Sequence, residues 1–307
     1  MNTYKYCLFL VFNFFTLIVW AQIPSTDIYL LDVSIKDTNY IFSNPTKIAT
    51  GNGYNNQPYF MPDGKTILFT SIGADNQADI YKYDIKTKSV LQLSSTKQFK
   101  EYSPQLTPDK KMMSVVRVEE DDSTQHLWLY DLNGKPIKML SAINPVGYYS
   151  WLYENNLALA VLQKGDRMDA EFLDLESGIS RTIAKNIGRC LVTNNINDST
   201  HICYYVQKKQ NDSIFLVNAV ATNKIKHFNE IQPTSFMTLP NSEDYCLFYN
   251  GFLIGNYGKL YLNKNRKYKN IANFINTPYQ NFYRLVYYPI SNTKGKLALV
   301  VYENKKP

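Results

Sequence analysis

The chain has 307 residues, of which 45% are hydrophobic and 19% are charged. This is the composition of a globular protein with a sizeable core, and it argues against a fibrous or largely disordered chain. The formal net charge of +7 is spread along the whole length rather than gathered in a long Lys/Arg block. Such a diffuse positive balance is only a weak indication of anionic partners.

The first 21 residues differ in composition from the rest of the chain. Lys5 supplies a positive start, residues 7–20 form an apolar run, and Val19 and Ala21 occupy the −3 and −1 positions of a small-residue cleavage site. This pattern predicts a secretory signal peptide over residues 1–21, which is removed in the mature protein. A membrane anchor is the alternative, but the run is shorter than the roughly 20 residues that span a bilayer.

No other stretch of the sequence is long and apolar enough to cross a membrane. We therefore expect no integral membrane span after signal cleavage and a periplasmic or secreted location in the bacterial cell envelope. Nucleic acid is not an expected partner of an exported chain.

Three cysteines follow the predicted signal peptide, namely Cys190, Cys203 and Cys246. An odd number in an export compartment argues against a complete disulfide framework. Cys190 and Cys203 flank a predicted hairpin centred on residues 195–198, so a disulfide across that hairpin is one interpretation. Three buried thiols that behave as small apolar residues is the favoured one.

A short strand-like run that ends in Asp or Asn recurs through the chain. Residues 80–85 read Ile-Tyr-Lys-Tyr-Asp-Ile, and related runs follow at intervals of 43 to 47 residues. The closing side chain can accept a hydrogen bond from the backbone N–H two residues further on, and so start a turn. The closing residues are Asp84, Asp131, Asp174, Asn218 and Asn263.

A Pro-Asp turn recurs with the same period. Residues 61–65 read Met-Pro-Asp-Gly-Lys, and copies that mostly weaken along the chain start near residues 107, 153, 194, 239 and 288. A tight turn of this kind is expected to link the two innermost strands of an antiparallel meander. The last copy of the Pro-Asp turn, near residue 288, is not followed by a strand-like run that ends in Asp or Asn. The matching run lies at the start of the chain, where residues 27–33 resemble the run 80–85.

Two strands at the start and two at the end would complete one four-stranded unit. The pattern therefore predicts an all-β fold: a six-bladed β-propeller of four-stranded antiparallel blades, with the last blade closed by both termini. A linear stack of meanders is the alternative, but it would not explain why one four-stranded unit is divided between the two ends of the chain. Six blades are favoured over seven, because each of six blades would have about 48 residues. We expect a single domain over residues 22–307, with blade repeats near 55–98, 99–143, 147–185, 187–229, 232–274, and 279–303 together with 26–50.

The stretch 57–93 resembles the TolB-like, or PD40, class of WD40-like β-propeller repeat. The matching positions are Pro58, Pro62-Asp63-Gly64-Lys65, Ile67, Phe69-Thr70-Ser71, Ile80-Tyr81, Asp84 and Leu93-Ser94. The next repeat keeps Pro104, Thr107-Pro108-Asp109, Leu127-Trp128 and Asp131, and the resemblance becomes weaker beyond residue 141. It implies a secreted or periplasmic propeller that serves mainly as a binding platform.

Motifs for catalysis are missing from the sequence. No Gly-x-Ser-x-Gly string occurs, and His126, His201 and His227 do not have the spacing of metal ligands. The acidic loops 75–79 and 119–122 are interpreted as solvated loops rather than calcium sites, because neither has a Gly-punctuated Asp-x-Asp-x-Asp string. We therefore expect no catalytic residues, no bound metal and no cofactor.

Aromatic residues cluster where the chain enters the predicted innermost strands. These entries would ring one mouth of a central channel, where rigid amphipathic rings and nearby arginines could bind a peptide or glycan and its carboxylates. Packing between blades is the alternative explanation for most of them. The candidate binding residues are Tyr54, Tyr102, Tyr148, Tyr149, Trp151, Arg189, Tyr279, Tyr283 and Arg284.

The sequence thus favours an exported, non-catalytic propeller that acts as a binding scaffold for a protein or another component of the cell envelope. Its expected partner is an envelope or secreted protein, or a peptide or glycan. The alternative is a propeller enzyme, such as a metal-dependent lactonase or a glycan hydrolase, with its site at the central channel. The predicted innermost strands are nearly free of acidic residues, which favours binding.

Overall fold

The computed structural model describes residues 24–48, 53–73, 75–165, 167–197, 200–208, 215–223, 228–249 and 251–303. The predicted signal peptide and His227 lie outside these ranges. Within them, the regular structure consists of 23 β-strands. The described part of the chain has no helix that is long and apolar enough to cross a membrane.

The strands follow one another along the chain as β1 Thr26–Lys36, β2 Asn39–Ile48, β3 Tyr54–Phe60, β4 Thr66–Ile72, β5 Ala78–Asp84, β6 Val90–Gln92, β7 Lys100–Leu106, β8 Met113–Val118, β9 Gln125–Tyr130, β10 Pro136–Ser141, β11 Val146–Tyr153, β12 Asn156–Gln163, β13 Arg167–Asp174, β14 Ser180–Asn197, β15 Thr200–Lys208, β16 Phe215–Asn223, β17 Phe228–Met237, β18 Tyr245–Phe248, β19 Gly251–Asn256, β20 Lys259–Lys264, β21 Lys267–Asn273, β22 Phe282–Pro289 and β23 Lys294–Tyr302.

Neighbouring strands pair antiparallel as four-stranded meanders. Meander 1 is β3–β6, meander 2 is β7–β10 and meander 5 is β18–β21, while β11–β14 and β14–β17 form meanders 3 and 4 of one sheet. Strands from the two ends of the chain combine in meander 6, in the order β22-β23-β1-β2. In meanders 1 and 2 the second strand is the most buried: every residue of β4 and of β8 is buried. Sequence runs of apolar residues fit such central strands because both of their faces are covered.

Strand β14 is shared by two meanders. Its first part pairs with β13 up to Ile187. Ile187 also pairs with Gln207 of β15, and after an irregularity the ladder with β15 resumes at Leu191. Gly188 lies between these parts, and a Cβ atom there would stand 2.3 Å from Val206 Cγ2. Glycine therefore allows the strand to leave one meander and enter the next at close range.

The core lies between successive meanders rather than inside any one of them. Six hydrophobic clusters each join residues of two neighbouring meanders, and one of them joins meander 6 to meander 1. Burying a Leu, Ile or Phe side chain contributes roughly 1.5–3 kcal/mol, so these clusters dominate the stability. Representative members, in chain order of the junctions, are Leu68 with Met113, Val116 with Leu159, Ala160 with Cys203, Val206 with Tyr245, Leu253 with Leu299, and Val300 with Phe69.

The predicted turn residues behave as expected in the first three meanders. Asp63 Oδ1 accepts hydrogen bonds from Lys65 N (2.8 Å) and Thr66 N (3.1 Å). Asp84 Oδ1 accepts one from Thr87 N at 2.7 Å. Further turns of this kind are closed by Asp109, Asp131 and Asp174.

The prediction was wrong for Asn218 and Asn263. Asn218 pairs with Tyr205 inside β16, and Asn263 pairs with Tyr268 inside the β20–β21 ladder. Both strands continue past these residues, so backbone pairing prevails over the local turn preference. The expected boundary between repeats at residues 229–232 likewise falls within β17.

The three described cysteines are free and buried, in agreement with the favoured interpretation. Cys203 lies opposite Thr193 in the β14–β15 ladder, whereas Cys190 donates to the carbonyl oxygen of Tyr245 at 3.3 Å. The hairpin does not place Cys190 and Cys203 opposite each other, so the alternative of a disulfide across it does not hold.

Two buried carboxyl groups meet between meanders 1 and 2. Glu101 is fully buried and accepts hydrogen bonds from Tyr130 OH (3.0 Å), Ser94 Oγ (3.1 Å) and Thr96 Oγ1. Burial, reinforced by the charge of Asp79, raises the pKa of Glu101 to about 7. Burial also raises the pKa of Asp79, so the pair holds a proton more readily in the folded chain than in the unfolded one.

This pair predicts a specific pH dependence of stability. Because its folded pKa lies above its unfolded value, Glu101 stabilises the fold at and below about pH 5, and this contribution is lost as the pH rises through about 7. Relative to the Glu101→Gln variant, the wild type should lose roughly 1–3 kcal/mol of unfolding free energy between pH 5 and pH 8. Urea unfolding of both proteins across this range measures the difference, and a constant difference would contradict the prediction.

Candidate functional site at the central cavity

Six strands, one from each meander, line a single cavity of about 360 Å³. The lining strands are β3, β7, β11, β14, β18 and β22, and Asp244, which lies one residue before β18, lines the cavity as well. Each of β3, β7, β11, β18 and β22 is the first strand of its meander and leads into an antiparallel partner. The residues at which these strands begin therefore gather at one end of the cavity, which we call the mouth.

Two arginines share one carboxylate at the mouth. Arg189 Nε lies 2.7 Å from Asp244 Oδ2, and Arg189 Nη2 contacts the same oxygen. Arg284 Nε lies 3.6 Å from Asp244 Oδ1, and Arg284 Nη1 donates to Asn56 Oδ1 at 3.2 Å. The neighbouring Glu243 accepts from Arg189 N at 2.7 Å and lies 3.8 Å from Lys208 Nζ.

The charge at the mouth is therefore positive. Burial disfavours the charged form of both guanidinium groups, but attraction to Asp244 outweighs it, and the pKa of each arginine lies above its ordinary value. Glu243 is matched by Lys208, so the cluster of Arg189, Arg284 and Asp244 keeps one positive charge in excess. Inside a cavity, where water screens poorly, such a charge attracts an anionic group more strongly than it would on an open surface.

Tyrosines surround these arginines. The guanidinium carbon of Arg189 lies 5.3 Å from the ring centre of Tyr283, and that of Arg284 lies 5.3 Å from the ring centre of Tyr148. Tyr283 OH accepts a hydrogen bond from Asn56 Nδ2 at 2.6 Å. Burial raises the pKa of Tyr283 to about 12, so the phenol stays neutral and can donate to a ligand.

Burial also raises the pKa of Tyr54, which lies close to Arg284, Tyr148, Tyr283 and Tyr102. Six of the nine predicted residues are thus brought together at the mouth: Tyr54, Tyr102, Tyr148, Arg189, Tyr283 and Arg284.

The other three predicted residues make packing contacts between meanders, and one of them, Tyr149, also lines the cavity. Tyr149 is buried, and its OH lies 2.7 Å from the carbonyl oxygen of Ser114 and 2.9 Å from that of Ser103, so its single proton is shared between these two acceptors. Trp151 Nε1 donates to Ser114 Oγ at 2.8 Å. Tyr279 packs with Tyr29 and Phe274, with ring centres 5.5 Å and 5.0 Å away. These contacts correspond to the alternative explanation of packing between blades.

Two residues on the cavity wall have unusual backbone conformations. Gln57 and Ser103 have φ values of 56° and 54°, and each precedes a proline at an irregular point in the ladder of its strand. Ser103 N donates to Gln57 Oε1 at 2.9 Å. Ser103 Oγ is buried and has no hydrogen-bond partner among the described residues. A bulge that turns polar atoms towards a cavity is common beside functional sites.

Sequence reasoning missed Asp244 and Asn56, which position the two arginines. Neither belongs to a repeat marker, and both act on residues that are distant in sequence. The acidic loop 119–122 was interpreted as solvated, but Glu119 accepts from Arg117 Nη2 (2.6 Å) and Trp128 Nε1 (2.9 Å). Among the residues that the structure describes, no three His, Cys, Asp or Glu side chains are grouped so that they could hold a metal ion.

No protein-family model matches this sequence, and no curated protein matches it. A TolB candidate from Agrobacterium tumefaciens is similar in structure, with a TM-score of 0.56 at 10% sequence identity, over 91% of this chain and 99% of that one. This likeness shows that the fold is a β-propeller. TolB from Acinetobacter baumannii gives a TM-score of 0.46 at 18% identity and covers 65% of this chain, which spans only half of that longer protein.

An enzyme is also similar to this propeller. The oligogalacturonate lyase from Vibrio parahaemolyticus gives a TM-score of 0.48 at 10% identity, over 91% of this chain and 98% of that one. Identities this low concern the fold alone, and propellers support many unrelated functions. The function of this propeller has to be argued from the mouth itself.

Removal of the Tyr149 hydroxyl should destabilise the propeller. Tyr149→Phe removes the one buried proton that the carbonyl groups of Ser103 and Ser114 share, which should cost about 1–3 kcal/mol. The hydroxyl of Tyr153 bonds Glu154 in an exposed position, so Tyr153→Phe should change the unfolding free energy by less than about 0.5 kcal/mol. Equal urea midpoints for the two variants would contradict a packing role for Tyr149.

Removal of the shared carboxylate should be costly. Asp244→Asn leaves the guanidinium groups of Arg189 and Arg284 without their counter-charge, and we expect a loss of about 3 kcal/mol. The matched control is Asp32→Asn, because the pair of Asp32 with Lys296 (2.6 Å) has a carboxylate that is 41% exposed. That change should cost at most about 1 kcal/mol. Chemical unfolding at neutral pH compares them, and a smaller loss for Asp244→Asn than for Asp32→Asn would be inconsistent with the prediction.

Proposed function

We propose that this chain is a six-bladed β-propeller in which meander 6, built from both ends, is the closing blade, and that residues 22–307 form this single domain. Three observations support the proposal. Six strands line one cavity, six hydrophobic clusters lie between successive meanders, and β1 pairs with β23 over nine residue pairs. Closure of this kind removes sheet edges that would otherwise invite aggregation.

We further propose that the propeller is an exported, non-catalytic scaffold that binds an anionic group of an envelope or secreted partner at the mouth. The single observation that carries this proposal is the pair Arg189 and Arg284 with only Asp244 between them. Asp244 orients both guanidinium groups, and the excess positive charge remains available to a carboxylate of a protein, peptide or glycan. Tyrosine hydroxyls and ring faces around the pair supply directional and apolar contacts.

Binding fits the cavity better than catalysis does. General acid–base chemistry requires a group that can take up or release a proton beside the substrate. Among the described residues that line the cavity, Asp244 carries the one carboxylate, and it is engaged by two arginines. The same arrangement serves recognition well, because the arginines are held in place before a ligand arrives and lose little freedom on binding.

The proposed location agrees with this role. The predicted signal peptide directs the chain to the periplasm or beyond. A propeller exported to that compartment meets peptides, proteins and glycans with exposed carboxylates rather than nucleic acid.

A crosslinked capture experiment tests the proposed function. The full chain without residues 1–21 is immobilised, incubated with cell-envelope extract from its own source, and crosslinked, and captured molecules are identified by mass spectrometry. The double variant Arg189→Gln/Arg284→Gln is treated identically. The control Lys86→Gln/Lys111→Gln removes the same charge from exposed positions on the blades.

We expect the wild type and the control to capture the same partner, and the arginine variant to lose at least nine-tenths of it. The purified partner should also bind less tightly as salt concentration rises, because exposed charge attraction is screened. Capture of no partner, or equal capture by the arginine variant, would overturn the proposed function.

A further inference from the structure

Tyr257 occupies a position where tyrosine is unfavourable. Strands β19 and β20 are joined by the two-residue loop Tyr257-Gly258, whose φ values are 45° and 73°. Two positive φ values define a type I′ hairpin turn, for which Asn-Gly is strongly preferred, and a bulky side chain at the first position is strained. The Tyr257 side chain is also 74% exposed. Neither the turn nor the core gains from this residue.

The next hairpin of the same blade provides an internal comparison. Strands β20 and β21 are joined by Asn265-Arg266, with φ values of 51° and 64°. Here the first position carries asparagine, as the turn geometry prefers. Tyr249, the first loop residue of the β18–β19 hairpin, also has a positive φ of 50°, but its ring packs against Phe248 and Tyr287. Tyr257 breaks the same local rule in an exposed position, where packing does not account for it, and this points to a requirement outside folding.

The Tyr257 side chain lies at the edge of a groove and forms a hydrogen bond there. Its hydroxyl accepts a hydrogen bond from Asn241 Nδ2 at 3.0 Å. The groove has a volume of about 570 Å³, and it is lined by Tyr257, Gly258, Ile275, Gln280, Phe282 and Tyr302, among others. None of its lining residues is charged. We call it the rim groove, since it lies between blades 5 and 6 beside the mouth.

A chain of ring contacts connects the rim groove to the mouth. Tyr302, which is 43% exposed, stacks on Tyr283 with ring centres 4.1 Å apart and planes at 20°. Tyr283 also lines the groove and lies 5.3 Å from the guanidinium of Arg189. Tyr283 thus belongs to both the rim groove and the mouth. A ligand in the groove that contacts Tyr283 therefore lies next to the positive charge of the mouth.

We propose that the rim groove is a sugar-binding subsite in which Tyr257 and Tyr302 stack against pyranose rings of an oligosaccharide. A pyranose ring has an apolar C–H face that packs on an aromatic ring, and hydroxyl groups at its edge that bond amides. Gln280 supplies such an amide, and its Oε1 is fixed by a hydrogen bond from Asn276 N at 2.9 Å. Rigid exposed rings bind at a low cost in conformational entropy.

A sugar fits this groove better than an extended peptide does. Peptides commonly bind by adding a strand to an unpaired sheet edge. Of the strands bordering the groove, β20 has β19 and β21 as neighbours and β23 has β22 and β1, whereas β22 is the end strand of its sheet and its residues 284–287 line the central cavity. The groove therefore offers ring faces and amides rather than a row of free backbone groups.

Oligosaccharide titration tests the subsite. Cellohexaose and chitohexaose serve as neutral probes, hexagalacturonate as an acidic probe, and a ten-residue oligoproline as the peptide alternative. Each is titrated into the full chain without residues 1–21 by calorimetry. The variants are Tyr257→Asn and Tyr302→Ala, and the control is Tyr268→Ala, a 38% exposed tyrosine on β21 outside the groove.

At least one hexasaccharide should bind with a Kd below about 1 mM, the level of a weak but specific contact. Tyr257→Asn should weaken it at least ten-fold while leaving the urea midpoint as high as in the wild type, because asparagine suits the turn. Tyr268→Ala should change the Kd by less than two-fold. The inference is overturned if no hexasaccharide binds at 10 mM, if only oligoproline binds, or if Tyr257→Asn leaves the Kd unchanged.

Binding of the same sugar at the mouth would depend on the proposed function. Stacking of the sugar on Tyr257 and Tyr302 in the rim groove does not depend on it. The two can therefore fail separately. If Arg189→Gln/Arg284→Gln leaves partner capture intact while Tyr257→Asn abolishes neutral sugar binding, the proposed function fails and the subsite stands. The reverse pattern overturns the subsite alone.

Discussion

Every meander must bury both of its faces, and this constraint determines the rest of the molecule. A four-stranded sheet whose second strand is apolar on both sides cannot stand alone in water. Here each meander packs against its two neighbours. The cluster that contains Phe69 and Val300 joins meander 1 to meander 6 in the same way. Stability is therefore distributed around the molecule, and no single meander holds a core of its own.

The same constraint creates the site. Innermost strands that pack side by side around an axis cannot meet at the centre, so a cavity remains there. Polar and charged groups are tolerated on its wall because it opens to solvent, which a core between sheets does not. Arg189 and Arg284 lie on this wall, and attraction to Asp244 offsets the repulsion between their two positive charges. The network of Glu101 and Asp79 shows the opposite situation, since carboxyl groups sealed between blades take up a proton instead.

The sequence predicted well whatever depends on neighbours along the chain. Asp63 and Asp84 close turns through bonds to residues two or three positions away, and the strand entries bring Tyr54 and Tyr283 to one end. Prediction from the sequence failed where contacts between residues far apart in the chain determine the structure. Asn263 looked like a turn residue but is paired across a ladder, and Asp244 has partners 55 and 40 residues away. The exposed Tyr257 was overlooked because only the backbone angles reveal how unsuitable it is for its turn.

The ladder between β1 and β23 has a mechanical consequence. Its register runs from Thr26 opposite Tyr302 to Ser34 opposite Lys294, so the first and last described residues leave the ladder at the same end. A force that separates the two ends would open the hydrogen bonds one after another, as in a zipper, rather than load them all together in shear. The molecule would thus yield readily to a pull on its ends, although its stability is distributed over the cores that its meanders share.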